Sequence, residues 1–268
     1  MNKIHDSNRR HWNKASDWWE KLRDEDGLWQ RCPDEPALGF AGHALKMIRE
    51  VAGNLPGKDV CVIGSGDNYA AFALSGLKAK VTSIDISERQ LQLASRRAQQ
   101  LDLPITFVQA DAANLEPIQD AAFDLACSSN GFFVWIADLQ AVFQEIFRIL
   151  RPGGYYIFYD IHPFQRPWKE QIRPIEVEKP YWETGPFEDA ESGTYEFNWT
   201  LADILNPLAN SGFILRSIVE SPAEDSRHWQ NHSYLPGTDG KLLDWQENPR
   251  TALPVWLTVA LQKPAKGK

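Results

Sequence analysis

Residues 59–85 constrain the fold more than any other part of this chain of 268 residues. A short apolar run leads into a glycine-bearing turn at 64–68. A helix pattern of small residues follows, and a second apolar run then ends in Asp85. This order predicts a strand, a turn tight enough for a ligand to touch, a helix, and a strand whose terminal carboxylate can bind both hydroxyls of a ribose. The stretch therefore indicates a nucleotide-like cofactor.

Strand and helix patterns alternate through the middle of the chain. Buried strands are predicted at 60–63, 80–84, 105–109, 123–128 and 155–160, with helices at 69–77, 88–101 and 139–150. Such alternation is typical of an α/β, doubly wound, mostly parallel sheet with helices on both faces. Two later strand patterns, 213–219 and 255–261, have no crossover helix between them, which predicts an antiparallel pair at the sheet edge.

The whole chain is predicted to form a single domain around one core. Its predicted parts are an N-terminal helical cap (1–50), a cofactor-binding core (51–162), a lid insertion (163–199), a C-terminal helix with edge strands (200–263) and a tail (264–268). The insertion is rich in proline, charge and aromatic residues and shows no clear period. We expect the segment 263–268 to be disordered.

Composition argues against several classes of partner. The chain has 28 Lys and Arg against 36 Asp and Glu, a net charge of −8, which opposes binding to nucleic acid or to anionic membranes. It has neither a run of about twenty apolar residues nor a secretory signal pattern, so we expect a cytoplasmic protein. Cys32, Cys61 and Cys127 are too few and too far apart to suggest disulfides or a thiolate metal site. The oligomeric state stays open.

The loops after the first four predicted strands carry the candidate ligand contacts. The carboxyl ends of parallel strands meet at one edge of a sheet, so these loops should share a crevice. Asp111 can accept a hydrogen bond from the exocyclic amine of adenine, although a plain turn aspartate is an equally open interpretation. The candidates are Gly64, Ser65, Gly66, Asp67, Asn68, Asp85, Ile86, Asp111, Ala112, Ser128 and Asn130.

Together these motifs resemble the class I S-adenosylmethionine-dependent methyltransferases, in their small-molecule type 11 branch. The resemblance covers about 51–163 and is carried by the segments 62–66, 83–87, 109–112, 123–125 and 150–154. It implies a Rossmann-like fold with seven strands, S-adenosyl-L-methionine as cofactor and S-adenosyl-L-homocysteine as product. It also implies that Asp85 holds the ribose and that Asp111 reaches adenine.

Three positions depart from the family pattern. Val62 replaces an acid near the methionine ammonium, which leaves Asp67 or a loop carbonyl as the candidate charge partner. Asn68 replaces the third glycine of the turn, and asparagine tolerates left-handed backbone better than most residues. Val134 replaces the histidine of a Ser-Asn-x-x-x-His-Trp stretch that residues 129–135 otherwise resemble.

Methyl transfer from a sulfonium is an in-line displacement on an activated carbon, so positioning and desolvation can supply much of the acceleration. A base is needed only when the acceptor must lose a proton. Asp160 and His162, after the fifth predicted strand, are candidates for acceptor contact or for this base, although a structural histidine is equally open. His228 and His232 have the spacing of a helical metal pair, but no helix pattern surrounds them and we predict no metal.

The sequence therefore predicts methyl transfer to a small-molecule acceptor, whose identity is set by the N-terminal helices and the insertion. The tryptophans there favour an apolar or planar acceptor. A non-catalytic cofactor-binding or regulatory protein is the first alternative. An NAD-dependent oxidoreductase is the second, and the lack of a full Gly-x-Gly-x-x-Gly pattern argues against it.

Overall fold

The computed structural model describes residues 2–169, 171, 173–229 and 239–265. The helices are α1 (Lys3–Asp26), α2 (Leu28–Arg31), α3 (Ala44–Ala52), α4 (Tyr69–Gly76), α5 (Glu88–Gln100), α6 (Leu139–Ile149) and α7 (Leu201–Asn210). The strands are β1 (Asp59–Ile63), β2 (Lys80–Asp85), β3 (Thr106–Gln109), β4 (Phe123–Ser128), β5 (Leu150–Ile161), β6 (Phe187–Asp189), β7 (Thr194–Glu196), β8 (Ile214–Ser221) and β9 (Trp256–Gln262).

Seven of these strands form one sheet in the order β3-β2-β1-β4-β5-β9-β8. The pairs among β1 to β5 are parallel, whereas β9 runs antiparallel to both β5 and β8. The predicted mostly parallel, seven-stranded sheet with an antiparallel edge pair is confirmed. Ile63 lies opposite Ile84 on one side and Ser128 on the other, so the strands end level and deliver their loops to one edge.

The central strands of the sheet are almost purely apolar on both faces, and helices cover each face. One core packs α6 and α7 against the sheet, and the other packs α3 and α4 against the opposite face. Helix starts follow local capping. Ser87 accepts a hydrogen bond from the Gln90 amide at the start of α5, and Thr200 and Asp203 cap each other at α7. Cys61 and Cys127 are buried free thiols in these cores.

Three regions differ from the sequence-based expectation. Residues 151–154, which the sequence left between the predicted helix 139–150 and the predicted strand 155–160, belong to β5. Pairing shifts from Phe123–Leu150 to Leu125–Tyr155 and leaves them as a bulge. The insertion, predicted as irregular, contains the antiparallel hairpin of β6 and β7. The segment 263–268 was expected to be disordered, but the Lys263 amide donates to the Gly154 carbonyl and its ammonium donates to the carbonyls of Phe147 and Leu150. Residues 266–268 lie outside the described residues.

Helix α1 packs against α5 and β7 and ends at Gly27, which has a left-handed φ of 63°. Its buried residues are all polar: His5, Asn8, Ser16 and Arg23. A helix ordinarily buries an apolar stripe, so a buried polar stripe indicates that α1 covers polar groups. Among the described helices, none has the length and apolar content to cross a membrane.

Candidate active site

A cavity of about 800 Å³ lies at the carboxyl ends of β1 to β4. This volume is within the range of small-molecule sites, roughly 300–1,000 Å³. Nine of the predicted contact residues line it: Gly64, Ser65, Gly66, Asp67, Asp85, Ile86, Asp111, Ala112 and Asn130. The sheet therefore brings these candidates together, as the strand ends predicted.

The turn after β1 is shaped by two glycines with positive φ, 62° at Gly64 and 50° at Gly66. A Cβ at Gly64 would lie 2.3 Å from the Phe132 ring, whereas a Cβ at Gly66 would meet nothing within 4 Å. Gly64 is thus required by packing as well as by backbone conformation. Gly66 leaves its backbone open to the cavity, so a ligand can approach it closely.

Asn68 and Ser128 do not line the cavity. The Asn68 backbone is left-handed, with φ 66°, and its side chain donates to the Gly66 carbonyl and accepts from Ser83 Oγ. The asparagine that replaces the third glycine therefore holds the turn from behind. Ser128 Oγ is 2.7 Å from the Tyr156 hydroxyl within the core. The prediction that Asn68 and Ser128 contact the cofactor through the backbone of their loops is corrected, because neither residue lines the cavity.

Asp85 ends β2 with its carboxylate on the cavity wall and 8% of the residue exposed. Its two oxygens accept hydrogen bonds from the Gly66 and Ser87 amides at 2.9 and 2.8 Å. Burial raises the pKa of Asp85, and these backbone donors oppose the rise. A carboxylate has about four acceptor positions. The Asp85 carboxylate thus retains capacity for ligand hydroxyls.

Asp111 is held by His5, a residue that the sequence did not single out. Nδ1 of His5 lies 3.0 Å from both carboxylate oxygens, and the Ala113 amide donates to Oδ1 at 3.0 Å. Burial works to raise the pKa of Asp111, but the hydrogen bonds from His5 and from the Ala113 amide oppose the rise, and the pKa is lowered. The carboxylate therefore stays ionised within a closed environment.

His5 belongs to a stripe of α1 that forms one wall of the cavity. Its members are His5, Asn8, Trp12, Trp19 and Arg23, at spacings of three, four or seven residues that keep them on one side of the helix. The N-terminal helices and their tryptophans were predicted to select the acceptor, but the polar members of this stripe were not singled out. The sequence did contain a pattern that could have indicated this wall: a histidine, an asparagine and an arginine share one side of the helix with tryptophans. Such polar residues are unusual on a helix side that faces an apolar core.

Arg23 is 1% exposed and lies beside the glycine turn. Its Nη1 is 3.1 Å from Asp26 Oδ2, its Nε is 3.4 Å from Asp67 Oδ2, and its guanidinium lies 4.8 Å from the centre of the Trp19 ring. Burial raises the pKa of Asp67, and Arg23 opposes that rise. Val62, which replaces the usual acid, is fully buried in the core. Opposite charges thus stand on the cavity wall at this turn without an acid at position 62.

Asp160 and His162 lie off the cavity wall. Asp160 accepts from the amides of Gly131 and Phe133 at 2.9 and 3.2 Å, and so fixes the loop after β4. His162 accepts from the Phe164 amide at Nδ1, and its Nε2 lies 2.7 Å from Glu220 Oε1. Burial lowers the pKa of His162. Their prediction as acceptor contacts or bases is corrected, because both side chains are engaged in the fold.

Another part of the cavity lining comes from β5, β9 and the segments near Phe40 and His228, and is largely aromatic. The Tyr159 hydroxyl donates to the Gly39 carbonyl at 3.1 Å, and the rings of Phe40 and Tyr159 are 6.1 Å apart. His228 packs 5.1 Å from Trp256, and burial lowers the pKa of His228 to about 4. A neutral imidazole therefore faces this end at neutral pH.

The described residues contain no group of three or more His, Cys, Asp or Glu side chains arranged to hold a metal ion. His232, the second member of the histidine pair considered from the sequence, lies outside the described residues.

Residues 61–158 match the family model for the type 11 methyltransferase domain. A demethylmenaquinone methyltransferase of Leptospira interrogans is 32% identical over 129 residues, 46% of this chain and 51% of that protein. A ubiquinone biosynthesis O-methyltransferase of Photorhabdus laumondii is 25% identical over 154 residues, 58% of this chain and 60% of that protein. The chain thus spans about half the length of the curated relatives it matches.

The fold is similar to a crystal structure of an S-adenosylmethionine-dependent methyltransferase from Mesorhizobium loti. The TM-score is 0.62 at 23% identity, over 82% of this chain and 98% of the other. Strand order, glycine turn and Asp85 agree with the sequence match over 61–158. Residues 61–158 thus form a type 11 methyltransferase domain, within a chain that has the fold of S-adenosylmethionine-dependent methyltransferases.

Proposed function

We propose that this protein transfers a methyl group from S-adenosylmethionine to a small-molecule acceptor. The observation that carries the proposal is the convergence of four strand-end loops, with Asp85 among them, on one cavity of about 800 Å³. The methyltransferase family match over 61–158 supports the same reading.

The cavity walls fit the cofactor chemically. Asp85 has acceptor capacity for the ribose hydroxyls, and Asp111 for the adenine amine. At the glycine turn, Arg23 and Asp67 offer opposite charges that suit the carboxylate and the ammonium of the methionine moiety. Asp67 would thereby take over the role of the acid that Val62 replaces. When bound, the cofactor supplies an activated methyl group.

The acceptor is proposed to bind at the aromatic end of the cavity. Phe40, Tyr159 and Trp256 offer flat apolar surfaces that orient a planar molecule and exclude water from the reacting atoms. Among the charged residues of the segment 224–228 that line the cavity, Glu224 and Asp225 outnumber Arg227, which disfavours an anionic acceptor. The names of the relatives, demethylmenaquinone and ubiquinone biosynthesis methyltransferases, are consistent with planar acceptors.

Neither nucleic acid nor a membrane is proposed as a partner, because the net charge of −8 opposes both. The cytoplasmic location expected from the sequence stays a prediction.

A non-catalytic cofactor-binding protein is the alternative, and one observation favours it. Both residues predicted to act on the acceptor, Asp160 and His162, are engaged in structural hydrogen bonds. Such a protein would bind the cofactor without turning it over.

Calorimetry with S-adenosylmethionine, S-adenosylhomocysteine and NAD tests the cofactor assignment. We expect binding of the first two only, and binding of NAD alone would contradict the proposal. Mass spectrometry then tests transfer to a panel of hydroquinones, naphthols and matched anionic benzoates. Methylation of hydroquinones or naphthols is the expected result. Methylation of benzoates alone would contradict the acceptor class, and cofactor binding without any transfer would favour the alternative.

A further inference from the structure

His5 is buried to 2% exposure in the first turns of α1, yet it bonds to a residue 106 positions away in sequence. It lies on the cavity wall together with Asp111. A buried polar pair that joins such distant segments must be fully hydrogen-bonded to be stable. The hydrogen bonds that His5 and Asp111 make therefore indicate which nitrogen of the His5 ring carries a proton.

The tautomer of His5 follows from its partners. The Ala137 amide donates to Nε2 at 2.9 Å, so Nε2 carries a lone pair. The other ring nitrogen, Nδ1, must then carry the proton of the neutral imidazole, and it donates to the two oxygens of Asp111 at 3.0 Å. The Ala137 amide thus acts through the ring to make His5 a donor toward Asp111.

The bonds leave Asp111 with directed acceptor capacity. Oδ1 receives the Ala113 amide and a share of the His5 proton, whereas Oδ2 receives only its share of that proton. A donor from a ligand in the cavity can therefore bind to Oδ2. The exocyclic amine of adenine is such a donor, whereas the 6-oxo group of hypoxanthine is an acceptor that the carboxylate would repel.

We propose that His5 is a positioning residue that makes Asp111 selective for the amine of adenine. The inference rests on the proposed function, because it assumes that the adenosyl group occupies this cavity. His5 acts by keeping the Asp111 carboxylate ionised and fixed in one orientation. Without it, burial favours protonation of Asp111. A protonated carboxyl group can donate to a 6-oxo group, so discrimination between the two bases falls.

The test measures the affinity ratio of two ligands by calorimetry. S-adenosylhomocysteine carries adenine, and S-inosylhomocysteine carries hypoxanthine in its place. For His5→Phe we expect the preference for the adenine ligand to fall by about tenfold or more, which corresponds to the loss of one charge-assisted hydrogen bond. The fall should be larger at pH 5.5 than at pH 8, since protonation of Asp111 is the cause.

Conservative variants separate positioning from structure. The amide nitrogen of His5→Asn lies at the place of Nδ1 and can donate to Asp111, whereas the amide group of His5→Gln reaches toward the place of Nε2. We expect the asparagine variant to retain more of the preference than the glutamine variant. A preference restored equally by both would overturn the positioning role.

Asn8→Ala is the matched control on the same helix. Asn8 bonds to the Trp135 carbonyl and to the backbone of Tyr195, and no hydrogen bond joins it to Asp111 among the described residues. Loosening α1 there should weaken both ligands alike and leave their ratio unchanged. Thermal melting and circular dichroism would verify that each variant is folded.

The outcomes distinguish this inference from the proposed function. If folded His5→Phe binds both ligands with the wild-type ratio, the inference fails and the proposed function stands. If the wild-type protein binds neither ligand, the proposed function is wrong, and the inference, which depends on it, is wrong as well.

Discussion

The cavity has two walls of different origin. The rim consists of the loops after β1 to β4, residues 64–68, 85–86, 111–112 and 129–132, and is held by bonds within or between neighbouring strand ends. The cover is α1, and it is held by polar bonds to segments far along the chain, such as His5 to Asp111. The rim is therefore part of the sheet itself, whereas the cover is an element docked on it.

The two walls also differ in what stabilises them. The rim is backed by apolar strands with residues such as Ile63 and Ile84 fully buried. The inward stripe of α1 buries polar groups, which contribute net stability only when their partners are in place. Removing one polar partner should thus weaken the cover more than its contact area suggests.

The largest expected effect is at the buried end of the cover. We expect Arg23→Met to lower the free energy of unfolding by about 3 kcal/mol, because Asp26 and Asp67 lose their buried cation. Urea denaturation measures the change. Adding Asp67→Asn to Arg23→Met should recover part of the loss, since one uncompensated acid is removed.

Arg31→Met is a control for the loss of an arginine as such. Arg31 pairs with Glu35 on an exposed surface, and its removal should leave the urea midpoint nearly unchanged. If Arg23→Met behaves like this control, the buried ion pairs do not anchor the cover.

A smaller effect is expected on the rim, and it concerns binding. Asp85→Ala should weaken S-adenosylhomocysteine binding by about 1–3 kcal/mol through loss of charge-assisted hydrogen bonds, measured by calorimetry. Asp120→Ala removes an acid that is 78% exposed and paired with Arg148, so it serves as the control. Equal affinities for Asp85→Ala and wild type would refute the ribose assignment.

The sequence predicted the rim because its signals are local. An apolar run followed by glycines or an acid marks a strand end, and parallel strand ends meet, so Asp85 and Asp111 could be placed together. The sequence indicated less about the direction in which each side chain points. Asn68 turns inward because a left-handed residue at this turn also bonds to Gly66 and Ser83.

The N-terminal helical cap was predicted, but the polar contacts by which α1 covers the cavity were missed, for a different reason. Its role depends on contacts across large sequence separations, and no local pattern in α1 indicates that His5 meets Asp111. For Asp160 the error was the opposite one, because a functional role was predicted where the structure shows a structural one. Its position after the fifth strand predicted an acceptor contact, but three backbone amides, including its own neighbour Ile161, use its carboxylate.

The burial of His228, at the proposed acceptor end of the cavity, can be tested through the pH dependence of stability. The pKa of His228 is lowered from 6.5 to about 4 by burial and by Arg250, so its neutral form stabilises the fold fully above pH 6.5. That stability is lost as the pH falls from 6.5 toward 4. Because the ring is partly exposed, we expect the loss to be about 1–2 kcal/mol rather than the full value of the shift.

His228→Gln should therefore lose about 1–2 kcal/mol less stability than wild type between pH 7 and pH 4.5, in paired urea titrations. Other titrating groups, including His162, contribute equally to both proteins and cancel in the difference. Parallel losses in the two proteins would show that His228 is not buried in its neutral form.

The smallest effect is expected at the exposed edge of the cover. Asp17 lies 2.7 Å from Arg89 of α5, but the two side chains are 68% and 37% exposed. We expect Asp17→Asn to lower the free energy of unfolding by less than about 0.5 kcal/mol and to have no effect in high salt. Urea titrations at low and high ionic strength measure it. A loss comparable with that of Arg23→Met would mean that the outer ion pairs of α1 attach it to the domain. The contrast between a buried polar stripe and a solvated edge would then be wrong.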